Sequence, residues 1–150
     1  MIVYADTSAI GSAYLGDEAD GRWITEVIFS GKDPVVVCDL TDVEFASLLA
    51  RARRDGRIDK HGVDERLNAY ADHTADDGPI GVVPVSTEII ARARSIVLHA
   101  AVRTLDAIHL AVAQLLADTN DELVGLLTRD ARQASAALDL GITLYETPLD

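Results

Sequence analysis

The chain has 150 residues, 49% of which are apolar, so it is long enough to bury the core of one domain. Its net charge of −12 at pH 7 excludes a general, charge-driven affinity for nucleic acids, because such binding requires an excess of Lys and Arg. The single cysteine, Cys38, excludes an internal disulfide bond, and no apolar run approaches the roughly 20 residues of a membrane span. The short apolar start has no basic flank and is unlike a signal peptide, so we expect a cytoplasmic protein with no membrane association.

Short β-branched runs alternate with longer stretches of helical periodicity. In chain order the sequence predicts strand 2–4, helices 7–15 and 19–29, strand 35–38, helices 41–54 and 63–73, strand 82–85, helices 86–101 and 104–118, strand 123–127, helix 130–140 and strand 142–145. Residues 76–79 are predicted to form a loop, and Gly141 is placed to end the last helix. Strands separated by helices indicate βαβ units. We therefore expect one α/β domain over residues 1–150, an α/β/α sandwich around a central, mainly parallel sheet.

Four acidic residues lie where predicted strands end or predicted helices begin: Asp6, Glu44, Asp106 and Asp130. Ligand sites of parallel sheets lie beyond the carboxyl ends of the strands, so we expect the four acids to converge on one cleft. Two carboxylates about 4 Å apart repel by roughly 4 kcal/mol at an effective dielectric near 20, and a cluster of them takes up protons or cations. Because the histidines are scattered and no Cys/His set has zinc spacing, an all-oxygen site for Mg²⁺ or Mn²⁺ is the prediction.

Each of these acids also has an ordinary structural explanation as a helix cap. Thr41 and Glu44 have the spacing of a capping box, and the three aspartates are placed to cap or to complement a helix dipole. Capping explains why the acids open helices, but not why all four fall at the same sheet edge. Both explanations therefore stay open at the level of sequence.

Hydroxyl side chains accompany two of the acids. Thr7 and Ser8 follow Asp6 directly, and Thr128 lies two residues before Asp130, so all three hydroxyls are candidates for orienting an acid or a bound water. His109, one helical turn beyond Asp106, is a candidate for a hydrogen bond near the site, but a packed or partly exposed structural histidine is the expectation.

The basic residues are unevenly placed along the chain. They form one group at Arg51, Arg53, Arg54, Arg57 and Lys60 and a second at Arg92, Arg94 and Arg103. Each group is a candidate nucleic-acid contact and equally a solvated helix face.

Four segments together resemble the PIN-domain nucleases. They are residues 2–9 (Ile-Val-Tyr-Ala-Asp-Thr-Ser-Ala), the helix with Glu44, residues 103–111 (Arg-Thr-Leu-Asp-Ala-Ile-His-Leu-Ala) and residues 128–130 (Thr-Arg-Asp). They occur in the family's order and span essentially the whole chain. The compact length and residues 105–111 are most similar to the VapC toxins of VapBC toxin–antitoxin pairs. The resemblance implies a single PIN domain over residues 1–150 with a PIN-like α/β/α fold.

The resemblance also implies a function for each acid. Asp6 and Asp106 would bind Mg²⁺ directly, with Mn²⁺ as a substitute, and Glu44 would bind it directly or through water or act as a general base. Asp130 would complete the site or hold a second ion. The implied activity is hydrolysis of RNA phosphodiester bonds by metal-activated water, which leaves 5′-phosphate and 3′-hydroxyl ends. The implied partners are a second copy of the chain and a cognate VapB-type antitoxin that blocks the active site.

Three other functions compete with this one. A receiver-like phospho-acceptor requires paired acids near the first strand and a lysine after a late strand, and neither Lys32 nor Lys60 follows one. A phosphatase of the haloacid dehalogenase type also has an Asp after its first strand, but it requires a second Asp at the position that Ser8 occupies here. A catalytically inactive PIN-like binding or assembly module is the remaining alternative, and the intact set of four acids argues against it.

Overall fold

The structure, a computed structural model, describes residues 1–16 and 21–146. Within these residues it has four strands and seven helices: β1 Ile2–Ala5, α1 Thr7–Leu15, α2 Gly21–Phe29, β2 Val35–Cys38, α3 Leu40–Arg54, α4 Lys60–His73, β3 Ile80–Val83, α5 Thr87–His99, α6 Thr104–Thr119, β4 Val124–Leu127 and α7 Ala131–Asp139. The strands form one parallel sheet in the order β3-β2-β1-β4. The predicted α/β/α sandwich with a parallel sheet is confirmed.

The central strand β1 shows how the sequence divides the core into two layers. Val3 and Ala5 face the side covered by α1–α4, whereas Tyr4 faces the side covered by α5–α7. All three residues are fully buried, as expected of a parallel strand that has helices on both faces. This placement brings the carboxyl end of β1, and therefore Asp6, to the middle of one sheet edge.

Several helix ends follow from local chemistry. Asp6 caps α1 by accepting a hydrogen bond from the backbone N–H of Ala9 (3.1 Å), and Gly141 follows α7 with a left-handed φ of 73°. Helix α4 begins three residues before its predicted start because Asp59 accepts a bond from the N–H of Gly62 (2.7 Å). Gly62, just outside the predicted helix 63–73, therefore lies in the first turn of α4. The predicted first residues of α2, 19 and 20, lie outside the described residues.

Two predicted strands differ in the structure. The strand predicted over residues 82–85 is Ile80–Val83 instead, because Ile80 pairs with Val35 and Pro84 has no N–H to donate to the sheet. The strand predicted over residues 142–145 is reduced to one parallel bridge between Leu126 and Leu144. Two backbone hydrogen bonds hold this bridge on the outer side of β4, from the N–H of Leu126 to the carbonyl of Thr143 (2.9 Å) and from the N–H of Tyr145 to the carbonyl of Leu126 (2.8 Å).

No single helix in the described part of the chain is long and apolar enough to cross a membrane. Helices α5 and α6 satisfy that test only when taken together, by length and composition, and they are bent by 120° relative to each other.

Candidate active site

Asp6 lies at the carboxyl end of β1 and is only 5% exposed. One carboxylate oxygen, Oδ1, accepts hydrogen bonds from the hydroxyl of Ser8 (2.6 Å) and from the N–H of Ala9 (3.1 Å), and the other, Oδ2, accepts one from the hydroxyl of Thr128. Burial raises the pKa of Asp6 above its ordinary value, although the bonds from Ser8 and Thr128 act in the opposite direction. A buried carboxyl of this kind is stabilised further by a proton or a cation.

The two hydroxyls that bond to Asp6 are themselves oriented by the backbone of the loop after β4. The hydroxyl of Ser8 accepts a bond from the N–H of Arg129 (2.8 Å), and that of Thr128 accepts one from the N–H of Asp130 (3.1 Å). With an acceptor role already filled, each hydroxyl directs its proton to Asp6. The loop reaches Asp6 because β1 and β4 are neighbours in the sheet, so the fold connects the first and the last of the four acids.

Glu44 lies near the start of α3 and faces into the site. Its Oε1 accepts a bond from the hydroxyl of Thr7 (2.8 Å) and lies 2.6 Å from Nε2 of His109. Burial would raise the pKa of Glu44, but the hydrogen bond and positive charge of His109, together with Thr7, outweigh it and lower that pKa. The capping-box alternative is therefore wrong: no side-chain bond caps α3, and Glu44 bonds to residues of two other elements.

His109 is buried, as predicted, and it also connects Glu44 to the core. Its Nδ1 lies 2.7 Å from the hydroxyl of Tyr4 and 3.9 Å from Sγ of Cys38. Burial would lower the pKa of His109, but its hydrogen bonds to Cys38 and Glu44 and their charges raise it to about 10. The imidazolium therefore offsets the charge of Glu44 and holds its carboxylate in one orientation.

Asp106 and Asp130 both contact the guanidinium of Arg103. The guanidinium Nε of Arg103 lies 2.9 Å from Oδ2 of Asp106, and its Nη2 lies 3.7 Å from Oδ2 of Asp130. The other oxygen of Asp130 caps α7 through the N–H groups of Arg132 (2.9 Å) and Gln133 (3.3 Å). The side-chain amide of Gln133 donates to the backbone carbonyl of Asp106 (3.0 Å) and so ties α7 to α6.

Comparison with known proteins shows the family and the fold. Residues 3–138 match the PIN domain family. The chain is a member of the PIN-domain family. The crystal structure of VapC20 from Mycobacterium tuberculosis, described as a sarcin-ricin loop cleaving toxin, is similar with a TM-score of 0.66 and 16% sequence identity, over 89% of this chain and 94% of that one. At this identity the likeness concerns the fold. No curated protein sequence gives a significant match.

The four acids lie at one edge of the sheet of this PIN domain, and other side chains lie between them. Asp6 is joined to Asp130 through Thr128, and Asp130 to Asp106 through Arg103, while Glu44 is held separately. In the part of the chain that the structure describes, no group of three or more His, Cys, Asp or Glu side chains is arranged to hold a metal ion. The expected mutual repulsion of the carboxylates is instead relieved by hydroxyls, an imidazolium and a guanidinium.

The donor set nevertheless has the chemistry of a site for a hard divalent cation. Its groups are carboxylate and hydroxyl oxygens, which Mg²⁺ and Mn²⁺ prefer. A positive charge already lies between Asp106 and Asp130, whose side chains are 25% and 31% exposed and so can be reached by an ion from solvent. The residues therefore fit such an ion, provided that it exchanges with Arg103.

Sequence reasoning did not assign Arg103 to the acids, and it treated His109 mainly as a structural residue with a hydrogen bond near the site as the alternative. Both had a usable signal in their spacing, because they lie three residues before and three residues after Asp106. Tyr4, two residues before Asp6, had none, because its role depends on the packing of α6 against β1.

Proposed function

We propose that this PIN-domain protein is a Mg²⁺-dependent endoribonuclease of the VapC toxin type, with Mn²⁺ as a substitute ion. The observation that carries the proposal is the buried Asp6, held from both sides by oriented hydroxyls at the sheet edge where three further acids lie. PIN domains are nucleases, and the similar structure of VapC20 belongs to a toxin described as cleaving the sarcin-ricin loop.

In this proposal Asp6, Glu44, Asp106 and Asp130 hold the ion. When bound, the ion supplies an activated water and offsets the charge of the phosphate. The hydroxyls of Ser8 and Thr128 keep Asp6 in position. Thr7 and His109 both bond to Oε1 of Glu44, and its lowered pKa keeps the carboxylate charged and so available to bind the ion or a water coordinated to it.

Purified protein incubated with total cellular RNA tests the activity. Discrete fragments with 5′-phosphate and 3′-hydroxyl ends should appear with Mg²⁺ or Mn²⁺ and disappear with EDTA or with Asp6→Asn. If folded, antitoxin-free protein cleaves no RNA with either ion, a non-catalytic PIN-like binding module becomes the better assignment.

The proposed partners are a second copy of the chain and a VapB-type antitoxin. Ile90, Val97 and Leu98 on α5 and Leu105 at the start of α6 are exposed apolar side chains, and each is a candidate for burial against one of these partners. Light scattering of the purified chain over a range of concentrations measures the first association, and an unchanging monomer mass would contradict it.

Part of the first basic group adjoins the site and is a candidate path for the RNA backbone. A groove of about 340 Å³ is lined by Ser8 and Asp130 of the site together with Arg51, Arg57 and Arg129. Asp55 also lines it, so the groove carries both signs of charge with cations in excess. The neighbouring Arg53 and Arg54 are exposed but do not line the groove, which separates the basic group into two sets that can be compared.

We expect the double substitution Arg51→Gln and Arg57→Gln to weaken RNA binding and to reduce the slope of log affinity against log salt by about 1.4, the value for two phosphate contacts to a single strand. The pair Arg53→Gln and Arg54→Gln removes the same net charge and should change both quantities much less. Binding is measured with the inactive Asp6→Asn protein, in EDTA, across a salt series. Equal losses for the two pairs would mean that only the overall charge of the protein matters.

Thr128→Val should lower RNA cleavage by about 10- to 100-fold, because it removes the hydroxyl that holds Oδ2 of Asp6 and leaves the N–H of Asp130 without its acceptor. Thr119→Val is the matched control, since Thr119 only bonds to a carbonyl within the exposed end of α6. Single-turnover cleavage rates of the two variants give the comparison. Wild-type rates for Thr128→Val would show that the position of Asp6 does not depend on this hydroxyl.

A further inference from the structure

Arg103 is the cation that connects two of the four acids. It precedes α6, and its guanidinium contacts Asp106 in the first turn of that helix and Asp130 at the start of α7. Its charge also acts on Glu44. The positive charge of one side chain therefore offsets the negative charges of acids on three separate helices.

The ion pairs of Arg103 with Asp106 and Asp130 can break without disturbing the packing of the protein. The side chain of Arg103 is 75% exposed, so little packing holds it, and solvent screens its ion pairs. The carboxylates are less exposed than the guanidinium, and one oxygen of Asp130 is fixed by its capping bonds. The acids are thus the better anchored half of the contact, and the guanidinium is the half that can leave.

From this geometry we infer that Arg103 is an internal counter-ion that competes with the divalent cation for Asp106 and Asp130. In the metal-free protein the guanidinium neutralises the two acids and keeps α6 and α7 together at the site. A bound divalent ion takes over that charge, and the guanidinium moves away from the carboxylates. The inference rests on the proposed function, since it presupposes that the acids bind a metal.

If Arg103 competes with the metal, removing its charge should raise the affinity for the metal, whereas removing a purely structural arginine should not. Removing the charge with Arg103→Gln should make Mn²⁺ bind about 3- to 10-fold more tightly, because the ion no longer displaces a resident cation. Arg103→Lys keeps the charge and should bind Mn²⁺ within about twofold of wild type. An arginine that merely positioned Asp106 for the metal would give the opposite sign.

Arg92→Gln is a matched control for the loss of one ion-paired arginine. Arg92 also contacts two acids, Asp118 (2.6 Å) and Glu88 (3.4 Å), but Asp118 is twelve residues beyond Asp106 on α6, about 18 Å along the helix. The variant has the same net charge as Arg103→Gln. It should bind Mn²⁺ with wild-type affinity, which separates a local effect from the effect of total charge.

The experiment is calorimetric titration of MnCl₂ into chelator-treated wild type and the three variants, with thermal melts of each protein with and without Mn²⁺. Tighter binding by Arg103→Gln alone, with a larger Mn²⁺-induced rise in melting temperature, supports the inference. If wild type binds Mn²⁺ and Arg103→Gln binds it equally or more weakly, the inference is overturned while the metal site stands. If no protein binds Mn²⁺, the metal site and the inference both fail.

Discussion

Asp6→Asn is expected to reduce RNA cleavage by at least about 100-fold, the usual effect of removing one charge that acts on the reacting groups. Asn has the size of Asp but lacks the negative charge. Its amide also places a donor where Asp6 now accepts bonds from Ser8 and Ala9 on one side or from Thr128 on the other. Because one hydroxyl can reorient, we expect the free energy of unfolding to change by no more than about 1–2 kcal/mol.

Single-turnover cleavage and thermal melts of the same preparations distinguish loss of activity from loss of fold. Asp59→Asn is the matched control: Asp59 caps α4 by the same kind of bond that Asp6 makes to α1, and Asn caps helices equally well. This control should keep wild-type activity. A fully active Asp6→Asn protein would remove the main support for the proposed site.

Gly78→Ala is expected to destabilise the protein by about 3 kcal/mol or more. Gly78 lies in the turn between α4 and β3, and a Cβ there would stand 2.2 Å from the carbonyl oxygen of His73 and 2.6 Å from its carbonyl carbon. These are backbone atoms at the end of α4, so the clash cannot be relieved by turning a side chain. The turn must open, which disturbs the entry of the chain into the edge strand of the sheet.

Denaturant melts measure the loss in free energy of unfolding. In thermal melts the melting temperature should fall by roughly 6–12 °C for a chain of this size. Asp77→Ala is the neighbouring control, since Asp77 is exposed, and it should change stability by less than about 0.5 kcal/mol. If the two variants were equally stable, the close approach of Gly78 to α4 would not be a constraint on the fold.

The sequence predicted the architecture because its signals are local. Alternation of β-branched runs with helical periodicity indicated the layers, and most helices and strands begin and end within a few residues of their predicted bounds. The exceptions depend on distant partners: β3 is defined by its pairing with β2, and the segment with Leu144 makes one bridge to Leu126 within the described residues.

The acids, too, were evident from sequence, because a residue that directly follows a parallel strand must lie at one known edge of the sheet. The same local signals could not choose between capping and a shared site. The structure shows that Asp6 and Asp130 cap their helices while also facing site residues, and that Glu44 does not cap at all.

What the sequence determined by itself is thus the fold class, its family resemblance and the set of acids at one edge of the sheet. Only the tertiary structure decided the partner of each acid: the hydroxyls for Asp6, His109 for Glu44 and Arg103 for two acids at once. It also decided which arginines of a basic run line the groove beside the site. The physical reason is that hydrogen bonds and ion pairs form over about 3–4 Å, and which side chains come that close depends on how helices and strands pack, not on spacing along one of them.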